Sequence, residues 1–130
     1  MYERSLAIER IAAARAAIDA IDPSVVLIGR NENFRVPNMS VAESIVRAVA
    51  DADAGADCLF VPFILDWGAI AELVAAVAPK PVNVVVHDYD ANIGALAALG
   101  VRRCSVGGSL AKRAWAAFDE AAHVLKSHEP

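Results

Sequence analysis

The segment SVVLIGRNENF, Ser24 to Phe34, runs through Val25, Val26, Leu27 and Ile28 and then breaks at Gly29 into Arg30, Asn31, Glu32 and Asn33. A strand without polar alternation has no face meant for water, which predicts a parallel sheet covered on both sides. The polar end raises a second question, since Arg30, Asn31, Glu32 and Asn33 could together hold an anion or a metal. In α/β proteins ligands gather at the carboxyl ends of the strands, so the segment points to a fold and to a place for a site.

The pattern recurs in ADCLFVPF (56–63), PVNVVVH (81–87) and RRCSVGG (102–108). Between these runs the spacing predicts helices. Ala7, Ile11, Ala14, Ile18 and Ile21 recur every three or four residues from Glu3 to Ile21, and Pro23 stops that helix. Ser40 and Glu43 form a capping box that opens a helix to Ala54, with Gly55 as its left-handed stop. Asp66 caps the run 67–78, which Pro79 and Pro81 end; Asp90 caps 91–99, which Gly100 ends; Ser109 opens a last helix reaching Lys126. The order is one helix followed by four βα units, hence an α/β fold with right-handed crossovers. An open doubly wound sheet and a piece of a (β/α)8 barrel share this grammar. Four units in 130 residues is the barrel's pitch.

That length makes residues 1–130 a single domain. The chain is 57% hydrophobic but only 6% aromatic, and the excess is alanine, which suits close-packed helices rather than a bilayer. No apolar run approaches the roughly 20 residues of a membrane span, and the charged start MYERSLAIER does not resemble a signal peptide, so a cytoplasmic protein is expected. A net charge of −4 with both signs interspersed gives no basic stripe for nucleic acid. Cys58 and Cys104 fall in apolar runs without metal-ligand spacing, which predicts two buried free thiols.

Candidate chemistry lies at the strand ends. Arg30 presents a planar, permanently charged fork suited to a carboxylate or phosphoryl group, or to a structural ion pair with Glu32 or Asp57. Glu32 is a candidate base or metal-supporting carboxylate, or a solvated loop residue. Gly107, Gly108 and Ser109 set backbone N–H groups at a helix start where an anion can bind, although a tight turn explains the same residues. His87 and Asp88 are adjacent, but neighbours on a strand face opposite sides, so Asp88 suits a loop or capping role better than a dyad. His123 and His128, near the chain's end, are expected in solvent. Asn83, inside a buried run, requires a hydrogen-bonding partner, either an internal network or a ligand.

Taken together, ERIAAARAA, VVLIGRNENF, AVADADAGADCLFVP, PVNVVV and LAALGVRRCSVGGSLAKRAWAAF resemble, in order and spacing, the second half of the phosphoenolpyruvate mutase and isocitrate lyase superfamily. The resemblance implies half of a (β/α)8 TIM-type barrel. It also implies Mg2+ chemistry on a small 2-oxo or 2-hydroxy carboxylate, with a C–C or P–C bond made or broken beside an enolate. Arg30 then matches the arginine that grips the substrate's acidic group, Glu32 an acidic position just beyond it, and Asn83 an asparagine of the seventh strand. The family's Mg2+ carboxylates and its mobile catalytic loop belong to the barrel's first half, so no metal ligand is assigned in this chain. Asn31 departs from the usual threonine, and His87 stands where a small residue is common. A half-barrel with bare edges is expected to form a homo-oligomer or to pair with a complementing half-barrel chain. Three functions follow: a lyase or mutase active when complemented, a non-catalytic remnant binding a small acid or a protein, or a nucleotide-binding open sheet resting on the GGS turn alone.

Overall fold

The computed structural model describes residues 1–33, 40–87 and 92–127. Helix α1 (Arg4–Asp19) precedes β1 (Ile28–Arg30), α2 (Val41–Asp53), β2 (Cys58–Phe60), α3 (Trp67–Val77), β3 (Val82–Val85), α4 (Ile93–Ala98), β4 (Arg103–Ser105) and α5 (Ser109–Lys126). The strands form one parallel sheet in the order β1-β2-β3-β4. Sequential order is the barrel's arrangement, because a doubly wound sheet reverses direction at a switch point. The open-sheet alternative is thereby set aside.

Local signals explain most boundaries. Ser40 accepts a hydrogen bond from the Glu43 backbone N–H, while the Glu43 side chain pairs forward with Arg47 instead of closing the box. Asp66 accepts from the Ala69 N–H at 2.8 Å, and Gly55 stops α2 with a φ of 109°. The expected cap Asp90 lies outside the described residues; Asn92 caps α4, accepting from Ala95 N–H. Gly108, not Ser109, occupies the N-cap of α5, and no side chain caps that end.

The core occupies one side of the sheet. Leu59, Val61, Val82 and Val84 point toward the helices and meet Ala48, Ile70, Leu73, Val77, Leu96 and Val101. The uniform apolarity of the strands suggested cover on both faces, but here helices cover only one. Val25 and Val26 are exposed, and β1 starts only at Ile28, so the apolar run begins before the strand does. Cys58 is buried as expected; Cys104 is exposed, because β4 is an edge strand and no side chain of α5 is buried. In α1, Ile11 packs on the core, whereas Ile21 lies beyond the helix and is 90% exposed. Arg15 bridges α1 to the sheet, 2.7 Å from Asp57, whose Oδ2 also accepts from the Leu27 N–H. Among the described residues no helix is long and apolar enough to cross a membrane.

Gly29 sets how closely α2 sits on β1. A Cβ there would lie 3.0 Å from the Cβ atoms of Ala56 and Asp51 and 3.1 Å from Leu59 Cδ1. Gly29→Ala is therefore expected to cost about 1–3 kcal/mol through overpacking. Urea denaturation should show a lower midpoint with an unchanged slope; an unchanged midpoint would mean that α2 moves away freely.

Candidate functional site

The four polar residues that close the opening segment divide into two pairs. Asn31 and Asn33 are buried. Asn31 donates to the Ser44 carbonyl at 3.0 Å, and Asn33 donates to the Ser40 carbonyl at 2.7 Å and to Ser44 Oγ at 2.8 Å. Ser44 Oγ in turn donates to the Ser40 carbonyl. These bonds tie the end of β1 to the start of α2 and satisfy groups that would be expensive to bury unpaired. Arg30 and Glu32 remain nearer the surface, joined by Nε to Oε1, and the Arg30 guanidinium carbon lies 5.0 Å from the Phe60 ring centroid. The partner is thus Glu32, while Asp57 is engaged by Arg15.

On the sheet face away from the helices, a cavity of about 510 Å3 is lined by Ile28, Arg30, Phe60, Pro62, Phe63, Val85, His87, Arg103, Ser105 and Gly107. Phe63 has a φ of 68°, a left-handed conformation costing about 1–3 kcal/mol for a bulky residue, and its ring lies nearly parallel to His87 with centroids 6.4 Å apart. The structure brings Arg30, His87 and Gly107 around one cavity and attaches Glu32 to Arg30. Ser109 lies outside the lining, at the first turn of α5. Asn83 has no exposed surface; its Nδ2 donates to Ser105 Oγ and its Oδ1 accepts from Arg103, each at 3.1 Å, so it lies beneath the cavity floor. Asp88 and His128 fall outside the described residues, and His123 is exposed.

Sequence reasoning passed over Arg103 and Ser105. Strand parity would have found them, since residues 103, 105 and 107 share a face if β4 runs straight to Gly107. No group of three or more His, Cys, Asp or Glu side chains capable of holding a metal occurs among the described residues. Among the described residues the cavity lining contains no carboxylate and two guanidiniums. These donors do not fit Mg2+, and they do fit an anion.

A model of the family described as phosphoenolpyruvate phosphomutase matches residues 1–126. The chain belongs to the phosphoenolpyruvate phosphomutase family. Among solved structures, a Burkholderia cenocepacia J2315 protein assigned as a lyase/mutase is 41% identical with a TM-score of 0.89, over 98% of this chain and 47% of that one. A second protein from the same organism, assigned as a phosphonomutase, is 31% identical with a TM-score of 0.79, over 99% and 52% of the two chains. Oxaloacetate acetylhydrolase, solved with its product oxalate, is 26% identical with a TM-score of 0.86, over 98% and 45%. This phosphoenolpyruvate phosphomutase family chain therefore spans about half the length of the structures it matches. No curated protein sequence matches it.

Burial shifts two titrations. The Cys58 thiol is pushed up by desolvation, with the Arg103 charge opposing. The Asp51 carboxyl on α2, packed against Gly29, is also raised by desolvation, with Arg47 opposing. A carboxyl whose folded pKa exceeds its unfolded value contributes stability that is complete below the unfolded value and lost as pH rises through the folded one. Asp51→Asn, which stays neutral, is expected to be more stable than the parent at pH 7, with the advantage disappearing below the ordinary carboxyl pKa of 3.8. Urea midpoints across that range check this; a less stable variant at pH 7 would mean that attraction to Arg47 outweighs burial.

Proposed function

We propose that this chain supplies the anion-holding half of a barrel lyase or mutase acting on a small 2-oxo or 2-hydroxy carboxylate. The observation that carries the reading is Arg30, which lines a cavity with no carboxylate among its described residues, at the mouth of the sheet in a member of this family. Its Nε is engaged by Glu32, which orients the guanidinium while its planar fork keeps further donors for an acid group. His87 and the backbone around Gly107 complete the rim. In the proposed reaction, charge develops on an enolate oxygen beside the bond that is made or broken, and fixed cationic groups stabilise it. Mg2+, which the resemblance implies, finds no donor set among the described residues, and no step here runs through it.

The same reading makes the working unit an assembly, a homo-oligomer or a complex with a complementing half. The two outer strands, β1 and β4, each have one paired neighbour in the sheet. Helix α5 exposes Leu110, Trp115, Phe118, Val124 and Leu125. An unpaired parallel edge beside a large apolar helix surface is what association removes from water.

Oxalate at one hundred times its dissociation constant should stabilise the chain by about 2.7 kcal/mol, seen as a rise of several degrees in Tm. The shift should be lost in Arg30→Gln and be unchanged by added Mg2+. No shift in the parent protein would sink the anion-holding role. For the assembly, light scattering should give a mass of at least twice 13.7 kDa across a dilution series; a monomer at every concentration would reject it.

A further inference from the structure

Five polar side chains are buried among the described residues. Asn31, Asn33, Ser44 and Asn83 are each hydrogen-bonded. Asp51 is the exception. It is 6% exposed, and among the described residues no donor is bonded to its carboxylate. Its helix neighbour Arg47 stands four residues earlier on the same face of α2. Arg47 is drawn elsewhere, however: its Nε lies 2.7 Å from Glu43, and its Nη1 donates to the Tyr2 carbonyl at 3.1 Å. A buried polar group without a partner, in a structure that satisfies the others, calls for one. Desolvation raises the Asp51 titration, so the carboxylate opposes folding and an architectural role is poorly served by it.

Asp51 lines a cavity of about 450 Å3 between α1, β1 and α2. Ala7, Ile11 and Ala14 of α1 and Ile28 of β1 give it an apolar wall. Arg30 and Glu32, which also line it, are bonded to each other, and Arg47 is paired with Glu43. Arg10 rests over the Tyr2 ring, 4.6 Å from its centroid. We propose that Asp51 anchors a second ligand site, separate from the open sheet face, which takes the ammonium group of a small aliphatic amine. An ammonium brings three N–H donors together with the compensating charge, and the apolar wall receives a short hydrocarbon body. Stacking uses the face of the Arg10 guanidinium and leaves its in-plane N–H groups for an acid, so the amine can be free or part of an amino acid. The inference is independent of the role of Arg30.

The alternative is that water alone fills the cavity and hydrates Asp51. Calorimetric titration of the parent protein with 3-methylbutylamine and with 3-methylbutanol, which has the same hydrocarbon body and no charge, separates the two. The amine should bind about tenfold more tightly or better, the worth of a charge-assisted hydrogen bond, and Asp51→Asn should abolish the difference. A urea midpoint at pH 7 no lower than the parent's shows that the variant is folded. Leucine, which adds a carboxylate to the same amine, identifies the source. Tighter binding than 3-methylbutylamine, lost in Arg10→Gln, supports an amino-acid site; binding no tighter supports a site for simple amines. Failure of the parent to bind the amine, or equal binding of amine and alcohol, overturns the inference without any variant. An undiminished preference in Asp51→Asn overturns it as well.

Discussion

The candidate site on the open sheet face depends on the stagger of four parallel strands. Arg30 is the last residue of β1 and Arg103 the first of β4, yet successive pairings through Phe60 and Asn83 bring them level. In a barrel the strands tilt and their register shifts steadily from one to the next, so residues at opposite ends of two strands can share one layer. The core side of the sheet enforces this register. Leu59, Val61, Val82 and Val84 must face the helices, and a slip of one residue would turn them to the open face while burying Arg30 and Arg103.

The same constraint explains the division among the polar residues. Asn31 and Asn33 are spent on Ser40 and Ser44, which ties the end of β1 to the start of α2 before any ligand arrives. Gly29 lets α2 approach β1 closely enough for those bonds to form. Arg30, one residue further on, ends β1 at the cavity edge, just before the residues that those bonds hold to α2. Precise placement of a guanidinium matters more than its presence, because a bidentate acid contact loses its advantage when the fork is misaimed.

How much of this the sequence disclosed follows from how local each cause is. Ser40 and Asp66 were legible as caps because the N–H each accepts from lies three residues away. The βα alternation was legible because strand and helix periodicities are local too, whereas those periodicities suit an open sheet as well as a barrel, and the half-barrel came from the family resemblance. Asn31 and Asn33 could not be distinguished from ligands by sequence, since Ser44 comes within reach only after the chain reverses. Arg103 escaped notice because attention to the carboxyl ends of strands assumes unstaggered strands. Cys104 looked buried because apolar neighbours imply a covered strand, and here the cover of β4 is missing from the chain's own helices.

The open face also constrains whatever completes it. Two guanidiniums beside an aromatic ring and a buried asparagine are tolerable while water reaches them, as it does in an open half-barrel. Closing the barrel would remove that water, and a charge moved into a low-dielectric interior without a partner carries a penalty of several kcal/mol. Glu32 compensates Arg30 in part, and no described residue does so for Arg103. A closing surface must therefore bring carboxylates of its own, or the closed state must form around an acidic ligand. On the proposed function, completion of the barrel and occupation of the anion site would be coupled: an acid bound at Arg30 would lower the cost of closure, and closure would in turn strengthen the hold on the acid.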